Sequence, residues 1–356
     1  MTDLFTPISL GTLRLQNRIW MAPLTRSRAD ADHVPNALMA EYYSQRATGG
    51  LLIAEATMAS PGNSAFWREP AIHSDAHVQG WKLVTSAVHR AGGHIFLQVW
   101  HGGRATHSLL NDGQQPVGPS ALAITDSQTH TPQGKKPYEV PRVLGEDEIP
   151  GIVAGFRRAF ANAKAAGFDG VEVHAANGYL IDQFLRDGSN QRAGRYGGTK
   201  ENRARLLMEV VGEATAEWGP HRVGVRLSPL NSYNSMMDSD PIGLATFVAG
   251  ALNDYPLAYV HLMRADFFGK QKGDLLTPVR RAYRGVLVGN MGYTPDEANA
   301  AIDQGGLDAV AFGTSFLANP DLPARIRAKA PLNPPDPKTF YTQGAAGYTD
   351  YPTMAR

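Results

Sequence analysis

Short apolar runs alternate with longer stretches of helical period along almost the whole of this 356-residue chain. The runs at 18–23, 51–56, 95–100, 170–174, 223–227, 258–263, 286–289 and 309–313 are rich in Val, Ile and Leu. They read as strands buried on both faces. Between them, 37–48, 77–91, 147–166, 201–218, 242–253, 295–303 and 319–328 carry the apolar spacing of helices. Thr294 before Pro295, with Glu297 three residues after the cap, is a helix start, and Asn319-Pro320 repeats the cap-then-proline order. Eight strands alternating with helices predict a parallel sheet, and eight units fit a closed (β/α)8 TIM barrel better than an open one. The expectation is one barrel domain over 1–356.

Three stretches break the alternation. The segment 114–143, after the third strand, is rich in Pro, Gly, Thr and Gln and too long for an ordinary connection, so it predicts a lid or binding loop. The polar segment 231–241 follows the fifth strand. The Pro-, Gly- and Tyr-rich 331–356 predicts a C-terminal wrap.

Composition narrows the chemistry. Hydrophobic residues make up 43% of the chain and charged residues 19%, ample for a core. Lys and Arg number 34 against 33 Asp and Glu, which predicts neither nucleic acid nor an anionic membrane as partner. With no cysteine, disulfides, thiolate catalysis, Cys-bound zinc and Cys-held iron–sulfur clusters are excluded. Neither a secretory signal nor a membrane-length apolar run is visible, so a soluble cytoplasmic protein is expected.

Barrel enzymes carry their chemistry at the C-terminal ends of the strands. Here those ends hold Thr25, Glu55, Gln98, His101, His174, Arg226, Arg264, Gly289-Asn290-Met291-Gly292 and Gly313-Thr314. No strand ends in Lys, so a Schiff-base aldolase is not expected. His101, His174 and His261, with Glu55 and Glu172, leave a metal-dependent hydrolase as a rival, although His261 within Tyr259–Leu262 suits a buried, hydrogen-bonded core residue better. The loops at 289–292 and 313–315 stand where barrels bind phosphate; their glycines could equally serve only as tight turns. Arg226 is a cation at the mouth, or else a structural ion pair. Gln98 and Thr25 add neutral donors. A flavin, which accumulates negative charge on reduction and carries a phosphate, needs such partners. His174 and Asn177, three residues apart in one turn of chain, can donate to a single oxygen, and Tyr179 offers a proton. Gly178 and the 186–190 segment argue against a plain helix start at that point. A hydrogen-bonded corner would account for these three residues as well.

The chain resembles the Old Yellow Enzyme family of FMN-dependent ene-reductases, in the branch of N-ethylmaleimide and pentaerythritol tetranitrate reductases. The resemblance rests on Asn17-Arg18 through Met21-Ala22-Pro23-Leu24-Thr25-Arg26, Ile53–Thr57, Leu97-Gln98-Val99-Trp100-His101-Gly102-Gly103-Arg104, His174–Tyr179, Ser189–Arg192, Tyr196-Gly197-Gly198, Glu201-Asn202-Arg203, and Ala311-Phe312-Gly313 with Asn319-Pro320-Asp321-Leu322. It implies non-covalent FMN at the barrel mouth and NADPH or NADH as hydride donor. Activated alkenes would be reduced by ping-pong hydride transfer through flavin N5. By the same resemblance Thr25 tunes the flavin, Pro23 and Ala56 are backbone contacts, and Gln98 and Arg226 face the pyrimidine edge. His174 and Asn177 grip the substrate oxygen, Tyr179 donates the proton, and Trp100 and Tyr341 wall the pocket. Gly289, Asn290, Gly292, Gly313 and Thr314 fall in the cofactor loops. The branch suggests a monomer.

Three departures matter. The family's phosphate-binding Arg after Phe-Gly is here Thr314, which predicts weaker FMN retention unless another cation compensates. In the extreme the chain would be a flavin-binding barrel with little turnover. A pocket Tyr is replaced by Phe66. Thr25, in a chain without cysteine, excludes the branch whose flavin is modulated by Cys.

Overall fold

The computed structural model describes residues 2–354. Its centre is a closed barrel of eight parallel strands: β1 (Ile19–Met21), β2 (Leu52–Met58), β3 (Ile95–Trp100), β4 (Gly170–Ala175), β5 (Val223–Leu227), β6 (Tyr259–Met263), β7 (Leu287–Asn290) and β8 (Ala309–Phe312). Each pairs with its successor and β8 returns to β1. Around it lie α1 (Ala37–Gln45), α2 (Asp75–Arg90), α3 (Ile149–Ala165), α4 (Leu180–Leu185), α5 (Lys200–Trp218), α6 (Pro241–Ala251), α7 (Leu276–Ala282), α8 (Pro295–Asp303), α9 (Thr314–Ala318) and α10 (Leu322–Ala328).

The period of two along each strand sorts the side chains. Ile19, Leu97, Val173, Val225 and Leu262 point out into the cluster shared with the helices, while Trp20, Ile53, Phe96, Tyr259 and Val288 fill the barrel. Towards the C-terminal ends the same inward positions become polar: Gln98, Glu172, His174, Arg226, His261 and Asn290. That switch from apolar filling to buried polar groups places the site. The opposite end is plugged by an antiparallel hairpin, Ile8–Leu10 with Leu13–Leu15, turning at Gly11 (φ +58°). Its Leu10, Leu13 and Leu15 complete the interior cluster. Runs of three residues are too short for a periodicity reading to find.

Helix starts differ from expectation in two places. A helix does begin at Leu180: Tyr179 is its extended N-cap and Asp182 accepts the Gly178 N–H at 2.8 Å. After β8 the chain turns at once into α9, so Asn319 ends that helix rather than starting the next, whose N-cap is Asp321. The Thr294 start holds, with a reciprocal capping box to Glu297.

The excursion after β3 folds on itself. Val117–Gly118 pairs with Arg142–Val143 at its neck, and Gln128–Thr131 with Gly134–Pro137 forms a hairpin. The C-terminal wrap is fastened by buried arginines: Arg26 donates to the Gly347 carbonyl at 2.7 Å, and Arg28 to that of Thr339 at 2.9 Å.

Candidate active site

The floor of the mouth is built by strand register. Gln98 on β3 stands beside Glu172 on β4, and His174 on β4 beside Arg226 on β5. Gln98 donates Nε2 to Glu172 Oε1 at 2.7 Å. Arg226 donates Nη2 to Asn290 Oδ1 at 2.9 Å, and Asn290 in turn donates to the Ala311 carbonyl at 2.7 Å. The Arg226 Nε and His174 Nδ1 are buried without a partner. A buried polar atom left open costs about 1–3 kcal/mol, and these two face the mouth, where a ligand could satisfy them.

Beyond β4 the chain turns through Asn177 (φ +58°) and Gly178 (φ +73°). Gly178 is required twice over, because a Cβ there would meet Asn234 and Met236 at 2.7 Å. Asn177 is clamped: its N–H donates to Ser228 Oγ at 2.7 Å, its carbonyl accepts from Asn234 at 2.9 Å, and its Oδ1 accepts from Asn231 Nδ2 at 2.9 Å. With Oδ1 occupied, the amide has its NH2 group left to offer. Neither Asn231 nor Asn234 stands out in the sequence, although both lie in the polar segment after β5.

Tyr179 is buried against Trp100, their rings 4.2 Å apart at 80°, and lies 5.2 Å from the His174 ring. Phe66 stacks between Trp100 (6.1 Å) and Tyr341 (5.8 Å), so β3, the loop after β2 and the C-terminal wrap meet in one aromatic wall. Burial, then the neighbouring Tyr233, Tyr138 and Tyr341, hold the Tyr179 phenol well above its usual range. Burial, then Arg226 and His261, hold His174 well below its own, so it stands neutral. Tyr233 lies in the insertion after β5 and Tyr138 directly after the excursion hairpin; neither carries a signal of its own in the sequence, although both fall in segments that break the alternation.

A cavity of about 310 Å³ runs from Arg226 and Asn290 past Met291 and Gly292 to Gly313, Thr314 and Ser315. Its volume suits a small-molecule cofactor. Pro23 is buried and Thr25 half-buried in the loop after β1. Ala56 lies where the β2–β3 register slips between Ala54 and Thr57, a bulge that re-aims the strand end. Gly289 does not line the cavity; a Cβ there would strike Leu307 at 2.3 Å, so this glycine serves packing. At the loop after β7, Arg264 donates to the carbonyls of Met291 (2.9 Å) and Gly292 (2.8 Å), and its guanidinium lies 3.7 Å over the Tyr293 ring, which lines the cavity.

The strand-end acids are committed elsewhere. Glu55 accepts the Arg26 N–H at 2.9 Å and the Tyr43 hydroxyl at 3.2 Å, and Glu172 holds Gln98 and His261. Among the described residues no three His, Cys, Asp or Glu converge in a metal-binding arrangement.

Residues 3–333 match the NADH:flavin oxidoreductase / NADH oxidase family. The chain is 49% identical over 353 residues to a protein of Leishmania infantum described as a probable flavin mononucleotide-dependent alkene reductase, covering 98% of this chain and 96% of that one. It is similar to the solved structure of morphinone reductase in complex with tetrahydroNAD, with a TM-score of 0.95 and 46% identity over 100% of this chain and 98% of the other. It is equally similar to the old yellow enzyme homologue from Zymomonas mobilis, with a TM-score of 0.95 and 46% identity over 99% and 100%.

Proposed function

The chain belongs to the NADH:flavin oxidoreductase / NADH oxidase family, and on that premise we propose that it is an FMN-dependent alkene reductase of the old yellow enzyme type. NADPH or NADH is its reductant, and activated alkenes of α,β-unsaturated carbonyl or nitro compounds are its substrates. Neither a barrel without turnover nor a metal-dependent hydrolase is favoured by these relatives. The observation that carries the reading is one mouth where the neutral donors His174 and Asn177 adjoin the protonated Tyr179, with Arg226 beside His174 in the strand register.

The donor set fits FMN. The unpartnered Arg226 Nε and the cavity from Arg226 to Thr314 match an acceptor-rich ring edge at one end and a phosphate at the other. What the cofactor supplies when bound is hydride chemistry between the nicotinamide and the alkene. The chain's own residues do the rest. Gln98 and Arg226 would hold the polar ring edge. Pro23, Thr25 and Ala56 bound it at the ends of β1 and β2. Asn290, Gly292, Gly313 and Thr314 line the way to the phosphate. His174 and Asn177 donate to the substrate oxygen and stabilise the enolate-like charge that builds on it. Tyr179 gives its proton to the α carbon. Trp100, Phe66 and Tyr341 set pocket shape.

Arg264, which braces the loop of Met291 and Gly292 and pairs with Glu297 at 3.4 Å, is the cation we assign to supply the charge that Thr314 lacks. Arg264→Gln is expected to weaken FMN binding about tenfold while leaving riboflavin, which lacks the phosphate, bound as before. Thr314→Arg is expected to tighten FMN alone. Titration of apoprotein with both flavins, followed by fluorescence quenching, checks each; equal change for both would place the phosphate elsewhere.

Residues 1–356 act as one domain, as a monomer, in the cytoplasm. Sedimentation velocity of the holoenzyme tests the monomer. Among the described residues no helix is long and apolar enough to cross a membrane. The deciding experiment for the function is the visible spectrum of the purified protein, repeated anaerobically with NADPH. Flavin bands that bleach and then return with 2-cyclohexenone establish the cycle. A protein that stays colourless after incubation with FMN overturns it.

A further inference from the structure

Glu172 is a fully buried acid inside the barrel, one layer below His174, and none of the roles above uses it. Both its oxygens face donors. Oε1 accepts Gln98 Nε2 at 2.7 Å and Oε2 lies 2.9 Å from His261 Nδ1. Gln98, Glu172 and His261 are 1%, 0% and 0% exposed, so these bonds lie away from bulk solvent. On β5 the position level with Glu172 is Gly224, where a Cβ would lie 2.3 Å from the Tyr259 ring; the ring fills that gap and seals the acid from below. Burial holds His261 below its usual range in spite of the acid beside it.

An amide has two ends, and a partner on one end decides what the other offers. A carboxylate can take only the NH2 end of Gln98. The Gln98 carbonyl therefore receives no hydrogen bond from the described residues and is the end open to a ligand. Next to it, Arg226 has only donors to give. One acceptor beside a fan of donors is the complement of a ring edge that presents one N–H beside a carbonyl oxygen and a basic nitrogen. Such an edge belongs to the flavin pyrimidine, and its mirror arrangement would be rejected. Glu172 also sets charge. Its carboxyl group lies on the strand next to that of Arg226, one inward position below it, and offsets part of the arginine's positive charge at the mouth.

We propose that Glu172, held by His261, is a positioning residue. It fixes the Gln98 amide with its carbonyl toward the cofactor and tempers the charge at the pyrimidine edge, and so sets how strongly the protein favours the reduced cofactor. The assignment rests on the FMN reading above.

The test is the midpoint potential of FMN in the holoenzyme, measured by dye equilibration, with the dissociation constants of oxidised and reduced FMN. Glu172→Gln removes one unit of negative charge and the demand on the Gln98 NH2 end. The preference for reduced over oxidised FMN is expected to rise about tenfold, the scale of one charge in a protein-like dielectric. Tenfold is about 30 mV upward for a two-electron couple. His261→Leu, which strips the carboxylate of its second donor, is expected to move the potential the same way. His261→Asn, whose amide can stand in for Nδ1, is expected to restore it. A Glu172→Gln holoenzyme with a native flavin spectrum and an unmoved potential overturns the proposal. If that variant does not fold, equal potentials for His261→Leu and His261→Asn overturn it. A wild-type protein that takes up no FMN would instead overturn the function itself.

Discussion

Replacing Tyr179 by Phe is expected to slow alkene reduction by about 10²–10⁴-fold, the range over which a positioned general acid contributes. Reduction of the enzyme by NADPH, which needs no proton from the protein, should keep its rate. The hydroxyl is the only atom group removed, and the ring keeps its edge-on contact with Trp100, so the aromatic wall stays in place. Anaerobic stopped-flow separates the two half-reactions, and equal slowing of both would remove Tyr179 from the role of proton donor. The sign of the pH dependence follows from the same environment. Burial raises the Tyr179 phenol well above 10, so it remains protonated throughout the neutral and mildly alkaline range. Burial and Arg226 lower His174 well below 6.5, so it does not acquire a proton as pH falls from 8 to 6. The reoxidation rate should therefore be flat across that window. A limb near pH 6.5 would mean that His174 titrates like an exposed histidine.

The reach of the sequence is clearest where chemistry follows from local order. Strand ends alone put Gln98, His174, Arg226 and Asn290 at one rim, because a buried parallel strand announces itself by its Val and Ile content and the fold fixes which end carries them. Side-chain direction was less legible. Gly289 and Asn290 are adjacent in the same loop signal, yet alternation turns only Asn290 toward the cavity. Interactions between distant segments were not legible at all. Asn231 orients Asn177 across 54 residues, Glu172 meets His261 across 89, and Arg264 braces the loop of Met291 and Gly292. The residues themselves are common types, and only barrel closure brings them together. The same holds for the helix at Leu180: Gly178 and Tyr179 look like breakers, but an extended Tyr179 followed by Asp182 reaching back to Gly178 is a workable start.

Loss of the donor at Asn177 should rank next to loss of Tyr179. Asn177→Asp is the informative change, because the position has φ +58° and Asp tolerates that conformation where a larger or branched residue would not. It keeps an oxygen for Asn231 Nδ2 and replaces the free NH2 by a second acceptor, bringing negative charge to the point where the substrate oxygen gains its own. Removing one oxyanion donor costs about 10²–10³ in rate. The like charge adds to this, so Asn177→Asp should fall at the upper end of the range and His174→Ala at the lower. On the proposed reading the two residues act on one oxygen, so the double variant should lose much less than the product of the single losses. Asn231→Ala tests the same idea from behind. It leaves Asn177 chemically intact but lets its amide turn, and should cost a smaller part of the same effect. Rates of reoxidation by 2-cyclohexenone across the four variants decide it. If Asn231→Ala matched wild type while Asn177→Asp was crippled, the amide would be oriented by substrate and not by Asn231. Strictly multiplicative losses in the double variant would mean that His174 and Asn177 serve different atoms.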